Sequence, residues 1–334
     1  MKMQSVQLSH GSGGVESQKL INDIFYKHLQ DLVICGGEDA GVFETNSKLA
    51  VSTDGYTISP IFFEGGDIGK LSIYGSCNDV SMMGAKPQYI TASFMIEEGF
   101  LFEELEKIVI SFSAAIKECN VKLISGDTKV LPKGTIDKMF ITTTAIGEIV
   151  YPNLSAFSLQ SDCSIIVSGT IGDHGAVIFS KREEIEINSN LQSDCAFLYP
   201  MLESLFTENI NIYALRDSTR GGIASVLNEW ANSSNVGIEI NEEKLPIKNE
   251  VRGICEMLGF EAYNLANEGM CVLCVSKKDE LKTLEILRNS KLGQNAQIIG
   301  QTTNENKKQV IFKTSYGARR YLEYPSGELL PRIC

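Results

Sequence analysis

The chain of 334 residues is long enough for two domains of ordinary size, and its 43% hydrophobic and 22% charged content is that of a packed protein. A net charge of −12 excludes unaided binding to nucleic acid or to an anionic membrane, so an anionic nucleotide bound here needs a metal ion or local cations. Residues 1–14 lack the apolar run of a secretory signal, no apolar stretch approaches the ~20 residues of a membrane span, and nine scattered cysteines suit reduced thiols in a cytoplasmic protein.

Residues 49–54 read as a strand that ends on an acid, and 67–85 as a helix-like stretch of small residues stopping before Lys86-Pro87. Residues 88–97 form a strand and 101–119 an amphipathic helix, with Leu101, Leu105, Ile108, Phe112, Ala115 and Ile116 at helical spacing. Strands follow at 121–125 and 138–149, and Pro152 opens a linker. The second half alternates strand 163–168, helix 193–207, strand 210–215, helix 221–232, strand 236–239, helix 248–258, strand 270–276, helix 279–290 and strand 296–300. From about Asn304 the pattern falls to a short strand, 309–313, and a polar tail. Alternation in both halves predicts an α/β or α+β class with two domains, 1–151 and 152–304, followed by a C-terminal segment, 305–334. No solenoid-length repeat or low-complexity segment is present.

Five acids stand beside glycine at element ends: Asp39, Asp54, Asp79, Asp127 and Asp217. Each alone suits a turn or a cap, but carboxylates at strand ends also line the crevices where α/β proteins bind ligands. Hard oxygen donors of this kind suit Mg²⁺, which is held by a few carboxylates plus substrate phosphates. Two glycine-rich segments are candidate phosphate cradles: His10, Gly11, Ser12, Gly13 and Gly14, and the helix opening at Thr219, Arg220, Gly221 and Gly222. Neither is a Walker A loop or a dinucleotide fingerprint, and no Gly-x-Ser-x-Gly elbow supports a serine hydrolase. Cys271 and Cys274 lie in one apolar strand with side chains on opposite faces, which reads as core rather than a zinc knuckle. His28 reads as a surface residue, His174 as a loop residue and Met82-Met83 as packing.

The last residue is Cys334, after Leu330-Pro331-Arg332-Ile333. Terminal residues are mobile unless something ties them down, so this thiol is either a frayed end or a carrier loaded at one place and unloaded at another. The ten residues from Pro325 to Cys334 reach roughly 30 Å when extended, enough to swing between an internal cleft and an external partner.

Longer strings carry a resemblance. Thr53-Asp54-Gly55-Tyr56-Thr57-Ile58-Ser59-Pro60, Phe63-Glu64-Gly65-Gly66-Asp67-Ile68-Gly69 and Asn78-Asp79-Val80-Ser81-Met82-Met83-Gly84-Ala85-Lys86-Pro87 resemble the HypE family of hydrogenase maturation proteins. So do Gly126-Asp127-Thr128-Lys129-Val130, Arg216-Asp217-Ser218-Thr219-Arg220-Gly221-Gly222, Asn267-Glu268-Gly269 and Pro331-Arg332-Ile333-Cys334. The likeness runs from His10 to Cys334, and the wider superfamily holds aminoimidazole ribonucleotide synthetase, selenophosphate synthetase and thiamine-phosphate kinase. It implies a two-domain PurM-like fold: an N-terminal mixed sheet with helices that forms a homodimer, a C-terminal α/β sandwich domain and a flexible tail.

The resemblance also implies a reaction. A HypF-type carbamoyltransferase loads Cys334, ATP phosphorylates the carbamoyl oxygen, phosphate leaves a thiocyanate, and the cyano group passes to iron on a HypC–HypD complex. In this scheme Asp39, Asp54, Asp79 and Asp217 hold Mg²⁺, the loop from His10 to Gly14 closes over the phosphates, and Asp127 and Thr128 contact the nucleotide. Glu268 accepts protons from the carboxamide nitrogen and Lys129 neutralises charge on oxygen. Two alternatives remain: another ATP-dependent synthetase of the superfamily, and a non-catalytic scaffold that docks partners through its tail. The glycine loop holds no reactive cysteine, which weighs against selenophosphate synthetase, and the retained acid set weighs against the scaffold.

Overall fold

In the computed structural model, which describes residues 5–7, 20–32, 46–185, 190–314 and 316–325, the two predicted units take shape around two sheets. The first comprises strand β1 (Leu49–Tyr56), a small ribbon of β2 (Phe62–Phe63) and β3 (Gly66–Asp67), helix α1 (Ile68–Met82), β4 (Ala85–Glu97), α2 (Phe102–Cys119), β5 (Lys122–Leu131) and β6 (Met139–Ile149). Its four-stranded sheet has the order β1-β6-β4-β5, antiparallel except for the parallel β4–β5 pair. A parallel pair needs a long crossover, and α2 supplies it. Asp67 caps α1 by accepting from the N–H groups of Gly69 and Lys70 at 2.7 and 3.1 Å. Almost every side chain of α1 is buried, so this helix shows no amphipathic stripe, whereas α2 turns Leu105, Ile108, Phe112 and Ile116 inward and ends on left-handed Asn120.

Pairing across the sheet sets two faces. Ser52, Asp54 and Tyr56 of β1 point toward α1, and Phe94 and Ile96 of β4 point the same way into the core. The opposite face carries half-buried or exposed Val51, Thr53, Ser93, Met95, Phe140, Thr142 and Ile146, with no helix over it among the described residues of this unit.

The second unit comprises β7 (Cys163–Val167), α3 (Asp173–Arg182), α4 (Tyr199–Phe206), β8 (Ile212–Asp217), α5 (Gly222–Ser234), β9 (Gly237–Asn241), α6 (Asn249–Leu258), β10 (Cys271–Ser276), α7 (Glu280–Asn289), β11 (Gln297–Thr303), β12 (Val310–Lys313) and β13 (Arg319–Tyr321). The sheet order is β13-β12-β9-β11-β7-β10-β8, with only β12–β9 parallel. Its β12 and β13 come from the segment that the sequence reading set apart as 305–334, so packing extends at least to residue 322, where Leu322 is buried. One face packs on α5 through Leu227 and Trp230, the other on α4 and α7 through Leu202, Leu205 and Leu287. Cys274 belongs to the first core and Cys271 to the second, on opposite faces as their spacing predicts.

Three differences from the sequence expectation have physical causes. Helix α3 went unread because Asp173 to Ser180 are buried on every side, so no polar stripe marks it; His174 is therefore a buried helical residue and not a loop residue. The expected helix 193–207 is helical only over Tyr199–Phe206, because the Ser193 N–H, Ala196 carbonyl and Leu198 N–H bond to Glu64 and Asn78 of the first unit and the Ala196 N–H to the Glu268 carbonyl, instead of to one another. His28 is largely covered, its ring facing Glu106 at 3.1 Å. Helices α3 and α6 pack Val177, Phe179, Val251 and Ile254 into the same hydrophobic core as β4 and α2, so the two units share one interior. Among the described residues no helix is long and apolar enough to cross a membrane.

Phe112 is fully buried at the centre of that interior, 5.2 Å from the Phe94 ring in an edge-to-face contact. Phe112→Ala is expected to cost about 3–5 kcal/mol, read as a lower denaturation midpoint with unchanged denaturant slope.

Candidate active site

The alternation of β1 aims Asp54 toward the α1 side, and α1 presents Asp79 to meet it. The Ser52 hydroxyl donates to Asp79 Oδ2 at 2.6 Å, and Tyr56 lies beneath, its hydroxyl 3.3 Å from Ser76 Oγ. These residues form the half of the site that the first unit supplies.

The second unit supplies the other half at the end of β8. Asp217 pairs with Cys271 of β10, so the chain entering β10 lies beside it: Asn267 N–H donates to the Ser218 carbonyl at 2.8 Å, and Ser218 N–H to that of Met270 at 3.4 Å. This brings Glu268 against Asp217. Gly222 opens α5 at a φ of +59°, packed so closely on the Tyr263 and Leu265 carbonyl oxygens that a Cβ would collide with them. Pro325 lies 3.7 Å from the position of a Cβ on Gly221, beside the same loop. Residues 322–324 reach that point along α5, tied by Asn228 Nδ2 to the Leu322 carbonyl at 3.1 Å and by the Tyr324 hydroxyl to Glu229 at 2.9 Å.

The electrostatics follow from gathering like charges out of water. Burial, then the Asp79 carboxylate, push Asp54 up to about 6, while the Arg220 guanidinium pulls it back. Burial, then repulsion from Asp217, push Asp79 up to about 7 against the pull of the Ser52 hydroxyl. Burial raises Asp217, and burial followed by the charges of Asp217, Asp194, Asp79 and Asp54 raises Glu268 well above the ordinary carboxylate range. Glu268 Oε1 and Ser218 Oγ are buried without a hydrogen-bond partner. A divalent cation fits this set in chemistry: hard oxygen donors, mutual repulsion and unspent acceptor capacity. Among the described residues, however, no three Asp, Glu, His or Cys side chains stand at metal-ligand spacing, so the acids are gathered but not closed on one point.

Of the residues expected from sequence, Asp54, Asp79, Asp217, Glu268, Arg220 and the loop from Thr219 to Gly222 come together. Asp127, Thr128 and Lys129 do not join them within one chain. They lie on β5, the edge opposite β1, three strands away through the register Gly55–Thr142–Ser93–Asp127, which is roughly 14 Å. Asp127 and Lys129 also face the side away from α1, bonded to each other at 3.0 Å. Asp39, Cys334 and the loop of His10, Gly11, Ser12, Gly13 and Gly14 lie outside the described residues.

Sequence reasoning missed Asn78 and Asp194. Asn78, next to Asp79, donates to the Ala196 carbonyl at 3.0 Å and accepts from Leu198 N–H at 2.9 Å, clamping residues 196–198 onto α1. Asp194 receives the N–H groups of Glu268 and Gly269 at 3.1 and 3.0 Å and the Asn267 amide at 2.8 Å. The only sequence signal was an acid inside an apolar run, Ser193-Asp194-Cys195-Ala196-Phe197.

Residues 37–149 match the family described as AIR synthase related protein, N-terminal domain, and residues 160–313 its C-terminal domain counterpart. The carbamoyl dehydratase HypE of Escherichia coli (strain K12) is 40% identical over 99% of this chain and 100% of its own length. A crystal structure of hydrogenase maturation protein HypE in complex with ATP is similar with a TM-score of 0.95 at 39% identity, covering 98% of this chain and 100% of that one. A HypE–HypF complex structure is similar with a TM-score of 0.80 at 42% identity, covering 93% and 100%.

The raised carboxylates give stability a definite pH slope. Above the unfolded value of 3.8, the folded chain still holds protons on Asp54 and Asp79 that the unfolded chain has released. Ion-free stability therefore falls as pH rises from about 4 to about 7 and levels off above. Asp79→Asn is expected to flatten that fall and to raise ion-free stability at pH 8 by on the order of 1 kcal/mol, measured by chemical denaturation at pH 5 and 8. A variant less stable than the parent at pH 8 would contradict the repulsion.

Proposed function

Since this chain belongs to the family of the HypE carbamoyl dehydratases, we propose that it is an ATP-dependent carbamoyl dehydratase that converts an S-carboxamide on its own Cys334 to a thiocyanate and donates the cyano group to iron during nickel–iron hydrogenase maturation. The observation that carries this reading is the buried Glu268 carboxyl, with one oxygen unpartnered, set against Asp217 where the two units meet. A scaffold has no use for a desolvated base among like charges, which destabilises the fold that contains it.

The chemistry assigns roles to that geometry. An amide oxygen is a weak nucleophile and oxide a poor leaving group; transferring the γ-phosphoryl group of ATP to the carbamoyl oxygen lets phosphate depart instead. The carboxamide nitrogen loses one proton as its oxygen is phosphorylated and the second as phosphate leaves and the C≡N bond forms. Glu268 takes the first of these protons, since burial and neighbouring charge raise its proton affinity toward that of an effective base, and the second leaves on the departing phosphate as hydrogen phosphate. Asp54, Asp79 and Asp217, with Asp39, hold Mg²⁺, which supplies charge neutralisation on the phosphates. The start of α5 at the Thr219–Gly222 loop would receive a phosphate, and the family likeness assigns His10 to Gly14 to the same phosphates.

The substrate arm starts at the site's rim. Pro325 sits against Gly221, and the nine residues from 326 to 334 can reach roughly 30 Å, far enough for Cys334 to enter the cleft or to leave it. A HypF-type carbamoyltransferase loads the thiol outside, in keeping with the solved complex of a relative, and a HypC–HypD complex receives the cyano group, all in the cytoplasm.

Lys129 and Asp127 need a second copy to contribute. Both β1 and β5 are open edges of the first sheet, and its outer face carries Val51 at 61% exposure among a field of threonines. A homodimer that closes β5 of one copy toward β1 of the other removes both edges and delivers Asp127, Thr128 and Lys129 to the neighbour's acids.

Three outcomes test this reading. Carbamoylated protein incubated with Mg-ATP should lose one water from the peptide ending in Cys334, read by mass spectrometry, and Cys334→Ala should abolish loading while leaving ATP binding intact. Glu268→Gln should cut single-turnover conversion by at least about tenfold with ATP affinity little changed. Mixing Lys129→Ala with Glu268→Gln subunits should restore about a quarter of parental turnover, because half the dimers are mixed and each has one complete site. No restoration would remove Lys129 from the neighbour's site.

A further inference from the structure

The structure points to a second carboxylate on which the base depends. Residues 193–198 carry no helix or strand and are bonded to both units, on one side to Glu64 and Asn78 and on the other to the turn that holds Glu268. From the first unit, Glu64 accepts Ser193 N–H through its carbonyl at 2.8 Å, and Asn78 clamps Ala196 and Leu198. From the second, Ala196 N–H donates to the Glu268 carbonyl at 3.4 Å. Asp194 is at the centre: Oδ1 takes the Glu268 N–H, and Oδ2 takes the Gly269 N–H and the Asn267 side chain. Asn267 is itself locked, accepting from Gly172 N–H at 2.8 Å and donating to the Thr170 carbonyl at 3.0 Å. The contact is so close that a Cβ on Gly269 would overlap the Asp194 carbonyl oxygen.

We propose that Asp194 is the positioning residue of the dehydration step: it sets the Asn267-Glu268-Gly269 turn through three N–H···carboxylate bonds and so aims the Glu268 carboxyl at the reacting nitrogen. The proposal rests on the reading of Glu268 as the proton acceptor. The bonding is one-directional, with three donors converging on two oxygens, which is what an ionised carboxylate accepts and a neutral amide cannot. Burial raises the proton affinity of Asp194, and the same three donors draw it back toward the ionised form. Asp194 also connects the halves of the site. The segment it belongs to is held by Asn78, the residue before Asp79, so the base in one unit is placed relative to the acids in the other through a single run of chain. Asp194 bonds to the turn that carries Glu268 and, among the described residues, to neither the Thr219–Gly222 loop nor Asp54, Asp79 or Asp217, so its effect should appear in the proton-transfer step and not in ATP binding.

The test is a double-variant cycle on the full-length, carbamoylated protein, reading single-turnover thiocyanate formation and equilibrium ATP affinity. Asp194→Asn presents an N–H₂ where an acceptor is needed; conversion should slow about tenfold to hundredfold with ATP affinity within about twofold. In a Glu268→Gln background the same substitution should have almost no further effect, because the residue through which it acts is gone. Conversion by Asp194→Asn within twofold of the parent, or an equal slowing on top of Glu268→Gln, would overturn the proposal. Full conversion by Glu268→Gln alone would overturn the base assignment, a different pattern that takes the proposal with it. If Asp194→Asn does not fold, Asp194→Glu serves in its place: it keeps the charge and both acceptors but displaces the turn, so the same slowing and the same loss of additivity are expected.

Discussion

Four carboxylates of like charge meet where two units join, and the rest of the molecule is arranged around holding them there. Asp54 and Asp79 come from one unit, Asp217 and Glu268 from the other; burial raises the proton affinity of all four, and charge adds to it from Asp79 on Asp54, from Asp217 on Asp79 and from all three aspartates on Glu268. Left to itself such a cluster would push the units apart, since removing charge from water and crowding it is unfavourable twice over. Helices α3 and α6 oppose this by burying Val177, Phe179, Val251 and Ile254 in the interior of the first unit, joining the two halves by apolar contact away from the acids. The segment 193–198 opposes it from within, since its bonds to Glu64 and Asn78 reach the first unit and its bond to Glu268 the second.

A cleft built this way suits a reaction that moves a phosphoryl group and two protons. Repulsion among the acids is a cost already present in the fold, which a bound cation would relieve. The same desolvation that makes Glu268 costly to bury raises its proton affinity, on which its proposed role as base depends. Among the described residues, Asp127 and Lys129 stay on the outer face of the first sheet, bonded to each other on its β5 edge and apart from the acids. The chain that leaves β13 returns along α5 to Pro325 at the rim, so the arm that carries the substrate is rooted beside the site that acts on it.

Much of the fold was legible in the chain. Helix α2 was readable from Leu105, Ile108, Phe112 and Ile116, because one of its faces meets solvent and the period survives in the residues. Helix α3 was not, because burial on all sides erases that period. Residues 193–198 were taken for helix on composition, but Asn78 and Glu64, more than a hundred positions earlier, claim their backbone groups, and no local pattern reports a partner so distant.

The sequence by itself determined the kinds of residue at the site, the two-unit order and the family, because Asp54, Asp79, Asp217 and Glu268 each sit in a string whose glycines and polar neighbours mark it. Only the tertiary structure decided which of them meet. It brought Asp79 against Asp217 across the seam, left Lys129 three strands away on the opposite face, and turned Asp194, unmarked in the chain, onto the backbone of the Glu268 turn. The reason is physical: a motif records which atoms a residue can offer, whereas desolvation, like-charge repulsion and three converging N–H groups exist only once distant segments share one buried space.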